Sequence, residues 1–231
     1  MFRFPIPLFL TLVLPAQESP SPKPAEAAPQ SPRVEVPAFA NATCPIMGKK
    51  VSMPLSVDTE LGRIWVCCKP CYKKVLRDVA VAHKTAYPTV EAHANTTCPV
   101  SGEPIGEDAV DVTLQGHRFR VCCSACVADA QKQSQRTLVK VVQPKVVDVG
   151  NTTCPVTGQP VADNVVVTIG DHLVRLATPL VVEDVEKDPA GVLAKAQQIR
   201  EKQPAPPPHV HTKKAEPVPK VPPAAGTEGG K

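Results

Sequence analysis

The chain has 231 residues, of which 28 are proline and only eight are phenylalanine, tyrosine or tryptophan. This composition excludes a single domain with a large aromatic core and favours several small folded units. The net charge of +4 comes from scattered lysines and arginines with no basic stripe, so nucleic acid is not an expected partner.

Both ends of the chain have compositions that are unusual for a folded domain. Residues 1–16 combine an early arginine, a short apolar run and a final alanine, which predicts a signal peptide rather than a membrane span. We therefore expect a periplasmic or secreted protein with no stable membrane span after the peptide is removed. Residues 17–40 and 203–231 are rich in proline, alanine and charged residues, which predicts a disordered linker and a disordered tail.

Between these ends the sequence repeats three times, with a period of about 55 residues. The copies begin at Asn41, Asn95 and Asn151, and each opens with Asn-Ala/Thr-Thr-Cys-Pro-Ile/Val-x-Gly. We name the first module (41–90), the second module (91–146) and the third module (147–202). The pattern predicts an α+β fold of tandem small modules, each with a cysteine turn, a β-hairpin, a cysteine knuckle and a helix.

Alternating apolar residues around short turns predict one hairpin in each module. The predicted strand pairs are Leu55–Asp58 with Arg63–Val66, Ala109–Leu114 with His117–Val121, and Val165–Ile169 with His172–Leu176. Apolar residues at helical spacing then predict one helix per module. The predicted helices are Tyr72–His83, Ala125–Gln135 and Ala190–Lys202, the last after a capping Asp188-Pro189 pair.

Eight of the nine cysteines occur in the first two modules, with nearly the same spacing in each. The first module reads C-x22-C-C-x2-C from Cys44, and the second reads C-x23-C-C-x2-C from Cys98. Cysteines at the junction of a hairpin and a helix can bind one metal ion, and an upstream cysteine turn can complete the site. Thiolates suit zinc and copper(I) alike, so Zn or Cu is the expected ion. A structural zinc contributes ~10–16 kcal/mol to small finger peptides, which a module of this size needs.

The expected ligands are Cys44, Cys67 and Cys71 in the first module and Cys98, Cys122 and Cys126 in the second. The neighbouring Cys68 and Cys123 are each either a fourth ligand or a spare thiol. Adjacent residues of a strand point to opposite faces, so both members of each pair can bind one ion only where the strand ends.

The third module keeps the cysteine turn at Cys154 but has lost the knuckle. Alignment of its hairpin with the second module places Ala177, Thr178 and Val181 where the knuckle cysteines stand. One thiolate cannot form a closed tetrahedral site. The third module is therefore expected to fold without metal, on its valine-rich and leucine-rich packing.

The C-x22-C-x3-C pattern that ends an apolar strand resembles the TRASH and YHS families of heavy-metal-binding, treble-clef-like domains. The Cys-Pro-Val/Ile-x-Gly opening and the Val-Cys-Cys-x-x-Cys close are similar to YHS-type modules of bacterial secreted proteins. The resemblance implies a soft-metal site and a role in metal sensing, trafficking or resistance. The resemblance implies that the two cysteine triads are the metal ligands. It extends to residues 151–182 only as a degenerate copy.

Two further interpretations stay open at this stage. The cysteines can instead form disulfides in a secreted scaffold, or act in thiol–disulfide exchange, since Cys68-Lys-Pro-Cys71 is similar to oxidoreductase motifs. A third interpretation is an adaptor with purely structural zinc, whose protein partner binds the third module or the tails. Because the chain carries no serine–histidine–acid, paired-carboxylate or phosphate-loop motif, we do not expect an enzyme.

The remaining polar motifs carry weaker expectations. His209 and His211 in the tail can hold a metal loosely, but a solvated tail is the simpler interpretation. His117 and His172 occupy the same repeat position and are expected to be exposed strand residues. The Asn-x-Thr motif that opens each copy is interpreted as a hydrogen-bonded turn rather than a glycosylation site.

Overall fold

The computed structural model describes residues 32–37, 39–52 and 55–204. The predicted signal peptide, most of the predicted linker and the tail beyond residue 204, with His209 and His211, lie outside the described residues. The described part has the expected mixed α+β architecture of small sheets and short helices. Within it, no helix is long and apolar enough to cross a membrane.

The strands of the described residues are short, and most belong to hairpins. They are β1 Val34–Glu35, β2 Ser56–Thr59, β3 Gly62–Trp65, β4 Glu91–Ala92, β5 Val110–Leu114, β6 His117–Val121, β7 Val147–Asp148, β8 Val166–Ile169 and β9 His172–Arg175. The pairs β2–β3, β5–β6 and β8–β9 are antiparallel, as the sequence predicts. Each hairpin turn contains a glycine with positive φ, at Gly62, Gly116 and Gly170.

Two helices follow each hairpin, where the sequence predicts one. They are α1 Pro70–Arg77, α2 Val79–Ala86, α3 Ala125–Lys132, α4 Ser134–Val142, α5 Val182–Lys187 and α6 Pro189–Glu201, and a 3-10 turn at Pro179–Val181 precedes α5. The prediction of a continuous helix from Tyr72 to His83 is wrong. Asp78 interrupts it with a φ of −148° and a ψ of 84°, and its side chain accepts a hydrogen bond from the Val81 N–H as the cap of α2.

Of the other two predicted helices, one is interrupted in the structure and one is confirmed. The prediction of one helix over Ala125–Gln135 is wrong, because α3 ends at Lys132 and Gln133 is not helical. A separate helix, α4, then runs from Ser134 to Val142. The helix predicted at Ala190 is confirmed as α6, and the Asp188 carboxylate accepts a hydrogen bond from the Gly191 N–H at its start. The α5 segment before it was not predicted.

Three short strands extend the hairpin sheets through pairings that the sequence does not predict. β4 lies parallel to β6, and β7 lies parallel to β9. β1 pairs antiparallel with β8, with Val34 opposite Ile169. The prediction of a disordered linker is therefore wrong for the part of the linker that the structure describes. There, Val34 packs on the third module and Phe39 packs on the second.

Each module has its own hydrophobic core, and the cysteines of the turn and knuckle are part of it. In the first module Cys44 and Cys71 pack with Ile64, Val66 and Val75. In the second module the corresponding core contains all four cysteines. In the third module Cys154 is enclosed by aliphatic side chains, including Leu176, Val181 and Val185.

The buried Gln115 connects the first two modules through its side chain. Its Oε1 accepts hydrogen bonds from the Arg63 N–H at 3.1 Å and from the Gln135 side chain at 2.6 Å. Its Nε2 donates to the carbonyl of Phe39 at 2.9 Å. Gln115 has a positive φ of 48°, which a non-glycine residue rarely adopts, so the turn is held by these bonds.

Candidate metal centres

The cysteine knuckle forms where a hairpin strand ends and a helix begins. β3 ends at Trp65 and α1 starts at Pro70, so Cys67 and Cys68 both lie in the bend between them. Pro70 suits this position because the first turn of a helix does not need its N–H. The strand thus ends before the cysteine pair, and alternation no longer sends the two thiols to opposite faces.

The upstream cysteine lies in a tight turn that is repeated in all three modules. In the first module the Gly48 N–H donates to the Cys44 carbonyl at 2.8 Å, and the Cys44 N–H donates to the Lys49 carbonyl at 2.8 Å. Gly48 has a φ of 65°, which a glycine adopts without strain. The same turn recurs at Cys98 and Cys154.

An asparagine side chain docks this turn on the hairpin. Asn41 Nδ2 donates to the Thr43 and Trp65 carbonyls, and Asn41 Oδ1 accepts from the Trp65 N–H at 2.8 Å. Asn95 and Asn151 make the same three bonds, to Arg120 and Arg175 respectively on the hairpin. The opening Asn-x-Thr therefore has the structural role that the sequence predicts, and it also carries the turn cysteine to the knuckle.

The first site brings together the thiols of Cys44, Cys67 and Cys71. Their sulfur atoms all lie within 4.8 Å of one another. Cys44 and Cys71 are almost fully buried, at 1% and 2% exposed, whereas Cys67 is half-buried. Three sulfur atoms so placed can share one soft metal ion.

The second site brings together Cys98, Cys122 and Cys126 in the same way, again within 4.8 Å. The Cys122 and Cys126 sulfurs are 3.6 Å apart. Sulfur atoms that bind one tetrahedral zinc at about 2.3 Å lie about 3.8 Å from each other. All three thiols are buried, and the Ser101 hydroxyl lies 3.3 Å from the Cys122 sulfur.

The fourth cysteine of each knuckle lies beside its triad without joining the mutually close set. The Cys68 sulfur is 3.8 Å from Cys67 and 3.4 Å from Cys71. The Cys123 sulfur is 3.9 Å from Cys122 and 3.8 Å from Cys126. The structure thus places both thiols next to two triad members, and their role as ligands stays a prediction.

The turn cysteines and the helix cysteines have opposite pKa shifts. For Cys44, burial favours the neutral thiol, but N–H groups of Cys67, Ile46 and Met47 outweigh it and lower the pKa to about 7. Burial, together with the thiols of Cys68 and Cys44, raises the pKa of Cys71 to about 12. One thiolate therefore forms readily at each site, and a cation is needed to stabilise the others.

The second site repeats this division. Burial of Cys98 is outweighed by the Ser101 hydroxyl and by backbone N–H groups, which lower its pKa to about 7. Burial and the neighbouring Cys122 and Cys98 raise the pKa of Cys126 well above its usual range. All nine cysteines lie within the described residues and are free thiols, so the donor set fits a soft metal ion.

The third module has the turn but no second thiol. Cys154 is fully buried, and the Thr178 hydroxyl, at a knuckle position, instead caps the 3-10 turn by accepting from the Leu180 N–H. Val181 is buried in the core at the other knuckle position. Aliphatic packing occupies the space that the knuckle thiols take up in the other modules.

A third cluster contains residues that the sequence interpretation passed over. Side-chain atoms of Glu91, His93 and His117 lie within 4.8 Å of one another. The expectation that His117 is an exposed strand residue is wrong, because its side chain is only 18% exposed. A signal exists in the sequence: Glu91 and His93 are two residues apart, which places them on one face of a strand.

Comparison of the chain with protein-family models, with curated proteins and with solved structures found no match. The resemblance to TRASH and YHS domains therefore rests on the sequence motifs alone. The geometry supports its coarser implication, which is that the chain contains two cysteine triads positioned to bind metal.

Proposed function

We propose that this protein binds two soft metal ions, Zn²⁺ or Cu⁺, one in each of the first two modules. The observation that carries the proposal is the pair of largely buried cysteine triads, in each of which the sulfur atoms lie within 4.8 Å of one another. The triads are Cys44, Cys67 and Cys71, and Cys98, Cys122 and Cys126. Several thiols buried together without a cation must stay largely protonated, as the raised pKa of Cys71 indicates. A bound metal ion stabilises the thiolate forms, so the thiols no longer need to stay protonated.

Native mass spectrometry of the full chain, purified without chelator, tests this proposal. We expect two ions that depend on the cysteines, so Cys71→Ser and Cys126→Ser should each bind one metal ion fewer than the unchanged chain. Cys154→Ser is the matched control, because Cys154 occupies the same turn without a knuckle, and this variant should leave the ion count unchanged. A chain with no metal and fully oxidised thiols, or loss of both cysteine-bound ions in either single variant, would overturn the proposal.

We further propose a role in metal trafficking or resistance in the periplasm or outside the cell. The apolar start of the sequence supports the location, and the resemblance to YHS-type modules supports the role. The half-buried Cys68 beside the first triad supports transfer, because a thiol next to a bound ion can pass it to a competing ligand. A binding role of this kind requires no catalytic residues.

The variants Cys68→Ser and Cys123→Ser separate trafficking from a purely structural metal. If three thiols hold each ion, these variants keep the fold and the metal count but transfer metal more slowly to a competing chelator. If all four thiols are ligands, the variants lose metal and stability, and the sites are structural. That second result would remove the trafficking role while leaving two metal sites.

Thiol–disulfide exchange is the competing function, and one observation favours it. The Cys68 and Cys71 sulfurs are 3.4 Å apart at the start of α1, and hydrogen bonding to Cys71 lowers the pKa of Cys68. A disulfide there would take Cys71 from the triad, so oxidation and metal binding exclude each other. Counting thiols after denaturation and metal removal decides between them, because the metal-binding form then shows all nine thiols and the oxidised form does not.

A further inference from the structure

We propose that Glu91, His93 and His117 form a third metal site, of nitrogen and oxygen donors, for a divalent transition metal such as Zn²⁺. The site is separate from the cysteine triads and draws on a different class of ligand. Two imidazoles and one carboxylate are a common donor set for divalent zinc, copper, nickel and iron. The proposal does not depend on what the cysteines bind.

The backbone topology brings these three residues together. β4 lies parallel to β6, with Glu91 directly opposite His117. His93 is two residues beyond Glu91, and its N–H donates to the Arg118 carbonyl at 2.8 Å, which continues the pairing past the end of β4. Glu91 and His93 therefore share one face of the sheet with His117.

The distances between the donor atoms fit one shared ion. His93 Nε2 and His117 Nδ1 are 3.0 Å apart, and each lies 3.8 Å from a Glu91 carboxylate oxygen. Two nitrogens that each lie about 2.0–2.1 Å from a zinc ion are about 2.8–3.4 Å apart at bond angles from octahedral to tetrahedral. Binding one ion would require the exposed Glu91 carboxylate to move closer to the two nitrogens.

The surroundings of the cluster combine rigidity with access. The two imidazoles are 15% and 18% exposed, and the Phe39 ring packs edge-on against His117 at 5.5 Å. The Glu91 carboxylate is 68% exposed and, with His117, lines an open cavity of about 400 Å³.

The third module supplies an internal comparison. Its β7 strand lies parallel to β9 in the same register, with Val147 opposite His172. Val147 and Val149 thus occupy the positions of Glu91 and His93, and His172 remains without those two donors. Only the second of these two modules has the complete donor set, so His172 is a matched control for His117.

The experiment counts zinc ions on the full chain by native mass spectrometry. The parent chain carries His209→Ala and His211→Ala, so that the tail histidines cannot contribute an ion. We expect His117→Ala and His93→Ala each to bind one zinc fewer than this parent. The control His172→Ala should bind the same number as the parent. The criterion is a difference of one ion, whatever number the cysteines hold.

Two further measurements keep the test decisive if a histidine variant folds poorly. Glu91→Gln changes an exposed side chain, so the fold should stay intact. The affinity of the third site for zinc should fall by about tenfold or more. Imidazole ¹⁵N signals of His93 and His117 should shift when zinc is added, and those of His172 should not. An unchanged ion count in His93→Ala and His117→Ala, or unshifted His93 and His117 signals, would overturn the proposal.

Discussion

At the scale of single residues, the asparagine that opens each repeat is the main polar support of the fold. Asn151 is completely buried, and its side chain pairs with both the N–H and the carbonyl of Arg175, and with the Thr153 carbonyl. Its side-chain amide therefore makes the pair of hydrogen bonds that the backbone of a neighbouring strand would make. Without it, backbone groups of the hairpin and the turn would be buried without partners.

We predict that Asn151→Ala lowers the free energy of unfolding of the third module by about 2–3 kcal/mol, because a buried group that loses its partner costs about 1–3 kcal/mol. Urea denaturation, with hydrogen exchange in β8 and β9 as the readout, measures this loss of free energy. Thr152→Ala is the control, because this exposed neighbour makes no side-chain bond that the fold uses, and its effect should stay within about 0.5 kcal/mol. Equal effects of the two changes would contradict the assigned role of Asn151.

At the scale of elements, the two knuckles share a design but differ in exposure. Both place adjacent cysteines in the bend between a strand and a helix. In the first module Cys67 and Cys68 are half-buried, whereas Cys122 and Cys123 of the second module are 7% and 9% exposed. A competing ligand therefore reaches the first site more easily than the second.

We predict that metal transfer from the loaded protein to a chelator is biphasic, with the first module losing its ion faster. The physical reason is that ligand exchange requires the incoming group to approach the metal, which buried thiols prevent. Stopped-flow absorbance with a coloured chelator measures the two rates. Cys71→Ser should abolish the fast phase and Cys126→Ser the slow phase, and the opposite assignment would show that side-chain exposure does not control exchange.

At the scale of the whole molecule, two modules depend on thiol clusters while the third does not. The third core is built from aliphatic side chains such as Val167, Val174 and Leu176, and strand β1 covers one edge of its sheet. Gln115 and Phe39 join the first and second modules by hydrogen bonds between segments that are far apart in sequence. Metal removal should therefore act unequally along the chain.

We predict that a strong chelator removes hydrogen-exchange protection from the hairpins of the first and second modules but leaves β8 and β9 protected. A bound ion contributes about 10–16 kcal/mol to the stability of a small metal-binding module, whereas a packed aliphatic core folds without a metal ion. Hydrogen–deuterium exchange with mass spectrometry on the full chain reports each hairpin separately. Equal loss of protection in β8 and β9 would mean that the third module relies on its neighbours or on a metal of its own.

Much of the fold and the cysteine sites follows from local sequence. Glycine at the hairpin turns, the Cys-Pro-x-x-Gly turn and Pro70 at a helix start each determine a short stretch of backbone. Because the cysteine spacing spans one hairpin, that hairpin and the Asn41 bonds to it bring Cys44 close to Cys67 and Cys71. Asp78 is the local signal that the sequence interpretation missed, since a capping aspartate can start a second helix immediately after the first.

Only the tertiary structure decided which distant segments meet. Val34 pairs with Ile169, Gln115 bonds to Arg63 and Phe39, and Glu91 lies beside His117. Two-residue strands such as β1 and β4 have no period to detect, and a polar side chain does not reveal its partner from its own position in the chain. The sequence by itself determined the repeat, its hairpins and its cysteine triads, because these arise from nearby residues. The edges of the sheets, the links between modules and the histidine cluster were decided by long-range packing.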